Sequence, residues 1–281
     1  MLACARALQA VRGGRSLSDA LLETPAPLRA ATQAVSFHVM RRLGLASEIK
    51  GILVKRTPPN PLFDALLHVA LVLLDTAMHA TQAEASSVAS QPVYAVHTVV
   101  DQAVRAASGT AGMQSYKGLL NATLRRFTRE RNALLEQAQR NPSAYWNYPG
   151  WWIKQIKQAY PEQWQALLQA GDVPGPMTLR VNLRQTTREA LQQQFAKQGI
   201  VATELGQAGL VLDQARPVHE IPGFEQGHWS VQDASAQQAA LLLQPFDGAR
   251  VLDACSAPGG KAAHLLELAQ VELVAPPGFP L

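Results

Sequence analysis

One stretch of nine residues has the residue types and order needed to bind a small charged ligand. It runs Asp253-Ala254-Cys255-Ser256-Ala257-Pro258-Gly259-Gly260-Lys261. Pro258 fixes one backbone φ angle, and the glycine pair lets a ligand approach the backbone because neither residue carries a Cβ. The stretch therefore predicts a binding loop for a nucleotide-like cofactor.

Two regular elements must position this loop. Residues 249–254 form a short apolar run after a turn and predict a buried strand, whereas residues 261–269 predict a helix. A strand, a glycine turn and a helix N-terminus present free N–H groups and a positive dipole end to a ligand. This arrangement is typical of nucleotide-cofactor sites.

Two common phosphate-binding motifs do not fit the stretch. A P-loop needs Gly at position 255 and Ser or Thr at position 262, where Cys255 and Ala262 stand. A dinucleotide fingerprint needs its first glycines where Ser256-Ala257-Pro258 stands. An NTPase is therefore disfavoured, and an ordinary strand-to-helix turn without a ligand remains the alternative.

The complete string DACSAPGGK closely resembles motif I of the Sun family of RNA cytosine-C5 methyltransferases. Further segments similar to that family precede it in the family's order, from about residue 17 to residue 267. They are YKGLLNA at 116–122, YPGWW at 148–152, YPEQW at 160–164, LRVN at 179–182, VHEIPGF at 218–224 and VQDASAQ at 231–237. The first of these segments lies within a region that resembles the family's NusB-like helical domain.

The resemblance implies that S-adenosylmethionine donates a methyl group to C5 of a cytosine in 16S ribosomal RNA. In this family a cysteine thiolate adds to C6, the resulting enamine takes the methyl group, a base removes the C5 proton, and a second cysteine assists product release. The cofactor-binding residues that it implies are Cys255, Ser256, Ala257, Pro258, Gly259, Gly260 and Lys261. Lys261 faces either the cofactor carboxylate or solvent, and His264 and Glu267 are interpreted as surface groups or as supports behind the site.

The cysteines depart from the family pattern. The family's catalytic cysteines follow motif I in Pro-Cys-Ser and Thr-Cys-Ser contexts, whereas these 281 residues contain only Cys4 and Cys255. Cys4 shares helical spacing with Leu8 and Val11, which predicts a buried thiol, and Cys255 is expected to act through its backbone. We therefore expect no catalytic residue in this chain and no activity of the chain alone.

The last residues depart from the pattern too. Residues 271–274 begin a second strand, which should end in an acidic residue that binds the ribose hydroxyls. The sequence continues instead as Ala275-Pro276-Pro277-Gly278-Phe279-Pro280-Leu281, in which successive prolines cannot donate to a sheet. We expect a chain truncated after motif I by a frameshift or premature stop, with S-adenosylmethionine bound weakly or not at all.

The pattern predicts a multidomain chain. We expect an all-α, NusB-like RNA-binding domain over 1–141, an α+β RNA-binding domain over 142–226, and the incomplete start of an α/β Rossmann-like methyltransferase domain over 227–281. Helices are predicted at 28–43 (ended by Gly44), 45–54, 62–78, 93–107 (opened by Pro92), 116–137, 151–169, 188–199 and 234–243. Strands are predicted at 177–183, 201–205 and 209–212.

Charge is distributed unevenly along the chain. Residues 1–145 contain 16 Lys and Arg against 9 Asp and Glu, a net of +7, and residues 146–281 contain 9 against 12, a net of −3. Because phosphate attraction supplies most non-specific nucleic-acid affinity, the basic part is the candidate RNA-binding region. Arg125, Arg126 and Arg129, with Arg131 nearby, are the candidate phosphate contacts, and a solvated helix face is the alternative.

A group of aromatic residues has two interpretations as well. Trp146, Trp151, Trp152, Tyr160 and Trp164 stand at helical spacing. This spacing favours a patch that packs between domains over a surface that stacks on bases.

Several classes of protein are excluded. Two cysteines exclude a disulfide framework and a cysteine-rich zinc site, and no H-E-x-x-H motif is present. No run of eighteen apolar residues and no signal-peptide pattern occurs. We expect a cytoplasmic monomer with 16S ribosomal RNA as its partner, no metal and no membrane association. Three possibilities stay open, namely a methyltransferase, a non-catalytic RNA-binding module and a folding-defective fragment.

Overall fold

The computed structural model of the protein describes residues 1–56, 58–80 and 93–274. It contains two compact units, Met1–Val173 and Pro174–Leu281. The first unit is helical, and the described residues of the second form a four-stranded antiparallel sheet and a two-stranded parallel sheet. The predicted opening of a helix by Pro92 and the predicted break after Val274 concern residues outside the described ranges.

The first unit is a bundle of helices around one apolar core. Its helices are α1 (Leu2–Arg12), α2 (Leu17–Leu22), α3 (Ala26–Arg41), α4 (Leu43–Leu53), α5 (Pro61–Ala80), α6 (Val96–Ser108), α7 (Lys117–Gln139), α8 (Pro142–Tyr145), α9 (Gly150–Ala159) and α10 (Trp164–Ala170). The predicted all-helical character of this part is confirmed.

Helix α5 is the central helix of the bundle, as the sequence predicts. It contacts α1, α3, α4, α6 and α7, and its side chains, such as Phe63, Leu66 and Leu74, are fully buried. Burial of each large apolar side chain contributes about 1.5–3 kcal/mol. By length and composition Pro61–His79 could also cross a membrane, but 83% of this stretch is buried inside the protein, which is the usual state of a core helix.

Two carboxylates on α5 are buried and paired. Asp75 Oδ1 accepts from Arg131 Nη2 at 2.6 Å, and Asp64 accepts from Lys50 Nζ at 2.8 Å and from Arg12. Burial raises the pKa of Asp64, but hydrogen bonds from Lys50 and Arg12 outweigh it and the pKa lies below its ordinary value. Arg131 is therefore a buried structural group, and it does not share the solvent-exposed face of its neighbours on α7.

Two local predictions in this unit were wrong, for identifiable reasons. Gly44 does not end a helix, because α3 stops at Arg41 and Gly44 lies inside α4. A Cβ at Gly44 would stand 2.4 Å from the Ser143 carbonyl oxygen, so glycine is required there by the close approach of α8. The predicted helix 151–169 breaks into α9 and α10 at Tyr160, which adopts φ −136° and ψ 68° because the next residue is Pro161.

A buried histidine makes the first unit sensitive to acid. His38 Nε2 lies 2.7 Å from Thr76 Oγ1, and burial, assisted by the nearby Arg42 and Arg41, lowers the pKa of His38 from 6.5 to about 4. The folded state therefore keeps His38 neutral at a pH where the unfolded chain protonates it. Its contribution to stability is complete above pH 6.5 and is lost as the pH falls toward about 4.

We expect the melting temperature of the first unit to fall between pH 6.5 and about 4, and His38→Gln to make that fall smaller. Thermal unfolding followed by circular dichroism at a series of pH values measures the effect. His97, which is exposed on α6, provides the control His97→Gln, whose pH profile should match that of the unsubstituted chain. An unchanged slope in His38→Gln would show that other groups dominate acid sensitivity.

The second unit begins with a four-stranded antiparallel sheet in the order β2-β3-β1-β4. Its strands are β1 (Thr178–Val181), β2 (Ala202–Leu205), β3 (Gly209–Leu212) and β4 (Trp229–Val231). Helix α11 (Arg188–Ala196) places Leu191 and Phe195 against this sheet. Strand β4, which the sequence analysis missed, has only three residues and contains the buried Trp229.

The remaining described elements form a parallel α/β arrangement. They are α12 (Ala234–Leu243), β5 (Arg250–Leu252), α13 (Gly260–Leu268) and β6 (Glu272–Val274). Strands β5 and β6 pair in parallel, with Arg250 opposite Glu272 and Leu252 opposite Val274. Parallel neighbours need a crossover connection, which α13 supplies, so the loop between β5 and α13 lies at the carboxyl end of β5.

Candidate functional site

The predicted cofactor loop is the connection from β5 to α13, as the sequence suggested. The prediction that the preceding strand is buried was wrong, because β5 pairs only with β6 among the described residues and is largely exposed. Gly259 adopts φ +102°, a left-handed conformation that favours glycine, and no side chain caps the helix that follows. The first N–H groups of a helix have no partner within it, so those of Gly260, Lys261 and Ala262 are available. A Cβ placed on Gly259 would meet no heavy atom closer than 4.0 Å, and the space beside the loop is open.

Two buried polar atoms in this loop have no hydrogen-bond partner among the described residues. They are Asp253 Oδ2 and Ser256 Oγ, and Ser256 is only 4% exposed. The other carboxylate oxygen of Asp253 accepts from the Cys255 N–H at 3.1 Å, which holds the loop in its turn. Since buried polar atoms are normally hydrogen-bonded, these two fit a loop that receives a polar ligand.

Lys261 is exposed in the first turn of α13, which is compatible with both of its predicted roles. Its charge acts on Asp233, the N-cap residue of α12. Hydrogen bonds from the Ser235 hydroxyl and the Ala236 N–H lower the pKa of Asp233, and Lys261 adds to this effect. The carboxylate at the start of α12 is therefore ionised and fixed.

Of the two interpretations of His264 and Glu267, the structure supports the second, since both lie behind the loop rather than on the open surface. His264 is 4% exposed, and burial, followed by the charge of Arg180, lowers its pKa to about 4. Glu267 accepts two hydrogen bonds from Arg180, which is itself 1% exposed. Arg180 was missed as a site residue, although a charged residue inside an apolar strand was a signal that the sequence offered.

A cavity of about 210 Å³ adjoins these groups within the second unit. Its lining includes His264 and Glu267 from α13, Gln237 and Leu241 from α12, and Val181 from β1. The Gln237 side chain donates to the carbonyl oxygens of Leu179 and Gln232 at 3.3 and 3.0 Å. This cavity lies on the side of α13 that faces the antiparallel sheet.

The two thiols lie in different environments. Cys4 is buried in the helical core at 4% exposure, as predicted, and burial raises its pKa. Cys255 is exposed in the cofactor loop. Among the described residues, no group of three or more His, Cys, Asp or Glu side chains is arranged to hold a metal ion.

The candidate RNA contacts on α7 are exposed, whereas their neighbour Arg131 is not. Arg126 Nε donates to Glu130 Oε2 at 2.9 Å, a surface pair that contributes only a few tenths of a kcal/mol. Arg125 and Arg129 stand one helical turn apart. Their geometry is compatible with phosphate contact and with a solvated face.

The aromatic residues form edge contacts with one another around α9 and α10. The ring centroids of Trp146 and Trp164 are 5.1 Å apart, and Lys157 Nζ lies 4.1 Å from the centroid of Trp164. Trp151 and Tyr160 are exposed by 63% and 51%. The packing role expected for this group stays a prediction.

Comparison with known proteins shows the class to which the chain is similar. Residues 148–219 match the model of the ferredoxin-like domain of RsmF/B-like methyltransferases. A protein named ribosomal RNA small subunit methyltransferase B from Vibrio cholerae is 36% identical over 267 residues, which cover 92% of this chain and 58% of that protein. The protein of the same name from Pseudomonas putida is 47% identical over 153 residues, 54% of this chain and 35% of that protein.

The resemblance inferred from the sequence is thus confirmed, because this chain is homologous to proteins named ribosomal RNA small subunit methyltransferase B. The chain spans less than two thirds of the length of these relatives. The crystal structure of PH0851 superimposes with a TM-score of 0.67 at 17% identity and covers 97% of this chain and 62% of that one. That likeness concerns the fold alone.

Proposed function

We propose that the chain functions in S-adenosylmethionine-dependent methylation of cytosine C5 in 16S ribosomal RNA and is inactive alone, with the loop from Cys255 to Lys261 as part of the cofactor site. The observation that carries the proposal is the pair of unpartnered buried atoms, Asp253 Oδ2 and Ser256 Oγ, beside an uncapped helix N-terminus. The homology to ribosomal RNA methyltransferases supports this choice of ligand. Binding of S-adenosylmethionine to the loop amides is the experiment that tests it.

Each part of the loop has a specific task in this proposal. S-adenosylmethionine supplies the electrophilic methyl group. The N–H groups of Gly260 and Ala262 bind polar groups of the ligand, because the positive end of the helix dipole lies there. Gly259 leaves room for the ligand, and Lys261 balances the charge of its carboxylate. Cys255, Ala257 and Pro258 contribute backbone and shape rather than reactive groups.

We propose the same division of labour along the chain as the sequence predicts. Residues 1–141 form a NusB-like RNA-binding domain, residues 142–226 present RNA to the site, and residues 227–281 supply the first part of the methyltransferase domain. Met1–Val173 contains 18 Lys and Arg against 11 Asp and Glu, a net charge of +7. This excess of positive charge supports RNA binding by the first unit.

A fragment comprising Met1–Val173 should bind structured small-subunit RNA with an affinity that falls steeply as salt rises, because each neutralised phosphate releases a counterion. Replacement of Arg125, Arg126 and Arg129 by Glu should weaken binding at least about tenfold and flatten the salt dependence. Fluorescence anisotropy with labelled RNA measures both quantities.

The control replaces Arg6, Arg15 and Arg29 by Glu, which makes the same charge change on helices or turns away from α7. Equal losses in the two triple variants would mean that net charge alone drives binding. Unchanged affinity in the α7 variant would assign those arginines to a solvated face. RNA binding by the 281-residue chain, with loop amides that do not respond to S-adenosylmethionine, would favour the alternative function, a non-catalytic RNA-binding module.

A further inference from the structure

Arg180 is the most deeply buried charged residue of the described part of the second unit, at 1% exposure in β1. Its Nε and Nη2 donate to the two carboxylate oxygens of Glu267 at 3.1 and 2.6 Å. Its Nη1 donates to the carbonyl oxygen of Gly260 at 2.8 Å and to the side-chain oxygen of Gln232. Four of the five guanidinium N–H donors are thus satisfied, which offsets the cost of burying the charge.

The two α13 residues that Arg180 contacts stand near opposite ends of that helix. Gly260 is its first residue and Glu267 is its last but one, and about 3.6 residues per turn place them on the same face, two turns apart. One rigid guanidinium therefore fixes both the rotation of α13 and its position along its axis. Gly260 also belongs to the proposed cofactor loop, so the position of the carboxyl end of that loop is fixed as well.

Gln232 reinforces this contact from the segment between β4 and α12. Its side-chain oxygen accepts from Arg180, and its side-chain nitrogen lies 3.8 Å from the position that a Cβ on Gly260 would take. Gln232 therefore lies beside the start of α13 and fixes the guanidinium that contacts it. A lysine could not replace Arg180, because a single ammonium cannot reproduce the bidentate fork and also reach Gly260.

We propose that Arg180 is a positioning residue for the cofactor loop, acting from the antiparallel sheet through Gly260 and Glu267. The assignment rests on the proposed function, in which this loop binds S-adenosylmethionine. Arg180 is only 1% exposed, and its role is to set where the first N–H groups of α13 lie. We call the contacts of Arg180 with Gly260 and Glu267 the clamp. Loss of the clamp should leave the sheet intact and loosen the first turn of α13.

Amide hydrogen exchange of the 281-residue chain, resolved by residue, tests this proposal without any ligand. Ala263 donates to the Gly259 carbonyl at 2.8 Å, and its exchange reports on the first turn of α13. In Arg180→Lys we expect the Ala263 and His264 amides to exchange about tenfold faster, a local opening, whereas Leu210 in β3 keeps its rate. Glu267→Gln, which keeps the shape of the side chain, should act in the same direction.

Two substitutions of the same chemistry serve as controls, Arg184→Lys and Glu225→Gln, both at exposed positions, and neither should change exchange in α13. Unchanged exchange at Ala263 in both clamp variants would overturn the proposal. Equal acceleration throughout β1 and β3 would also overturn it, because Arg180 would then merely stabilise the sheet. Local loosening in a chain whose amide shifts on addition of S-adenosylmethionine lie outside residues 255–262 would support the role of Arg180 and refute the proposed cofactor site.

Discussion

A polypeptide of residues 1–281 incubated with unmodified small-subunit ribosomal RNA and radiolabelled S-adenosylmethionine will transfer no label to cytosine C5. The chemistry implied by the family needs a thiolate that adds to C6 of the base. Cys4 is buried in the helical core with a raised pKa, and Cys255 lies in the loop proposed to hold the cofactor. We therefore expect neither thiol to attack the base.

The relative from Vibrio cholerae, assayed in parallel, controls for the quality of the RNA and the cofactor. Label transfer by the 281-residue polypeptide would contradict the prediction, and its loss in Cys255→Ser but not in Cys4→Ala would make the loop cysteine the nucleophile. Scintillation counting of digested RNA, with separation of the modified nucleoside, distinguishes C5 from other positions.

Local sequence patterns were sufficient for much of the fold. The predicted helix 234–243 and strand 209–212 coincide with α12 and β3, because each has an apolar pattern bounded by clear turn signals. Helix α5 was predictable for the same reason. The turn between β5 and α13 was predictable because its glycines and proline act within a few residues of one another, whereas its role as a cofactor site stays a prediction.

The features that were missed depend on contacts distant in sequence. Arg180 and Glu267 are separated by 87 positions, and nothing local to Glu267 distinguishes it from a solvated helix residue. In sequence, Gly44 looks like a residue that ends a helix. It is glycine because Ser143 of α8 approaches it too closely for a side chain. The break at Tyr160, by contrast, could have been predicted from Pro161.

The predicted domain boundaries differ from the division seen in the structure. The structure divides between Val173 and Pro174. The predicted domain boundaries at 141 and 226 rest instead on family resemblance and on proline and glycine turn signals. Helix α8 contacts α4 and α7, and Asn147 Oδ1 accepts from the Leu45 N–H at 2.9 Å. Residues just beyond 141 therefore pack with the helical unit. The proline at position 142 cannot reveal this packing from sequence alone. The three-domain division stays a prediction.

Among substitutions in the second unit, replacement of Gly259 should change S-adenosylmethionine binding most. In Gly259→Val the side chain would enter the open space beside the loop, and a β-branched residue resists φ +102°. We expect this variant to lose cofactor binding completely. Gly248, with φ +82° and no heavy atom within 4 Å of the position that a Cβ would take, provides a control glycine of similar strain outside the loop.

The most direct measurement is a titration of the isotopically labelled 281-residue chain with S-adenosylmethionine, followed through its backbone amide chemical shifts. The predicted result is weak binding, at millimolar cofactor, with shifts concentrated from Cys255 to Ala262, retained in Gly248→Val and absent in Gly259→Val. Shifts located elsewhere, or loop shifts that survive Gly259→Val, would contradict the assignment of this loop as the cofactor site.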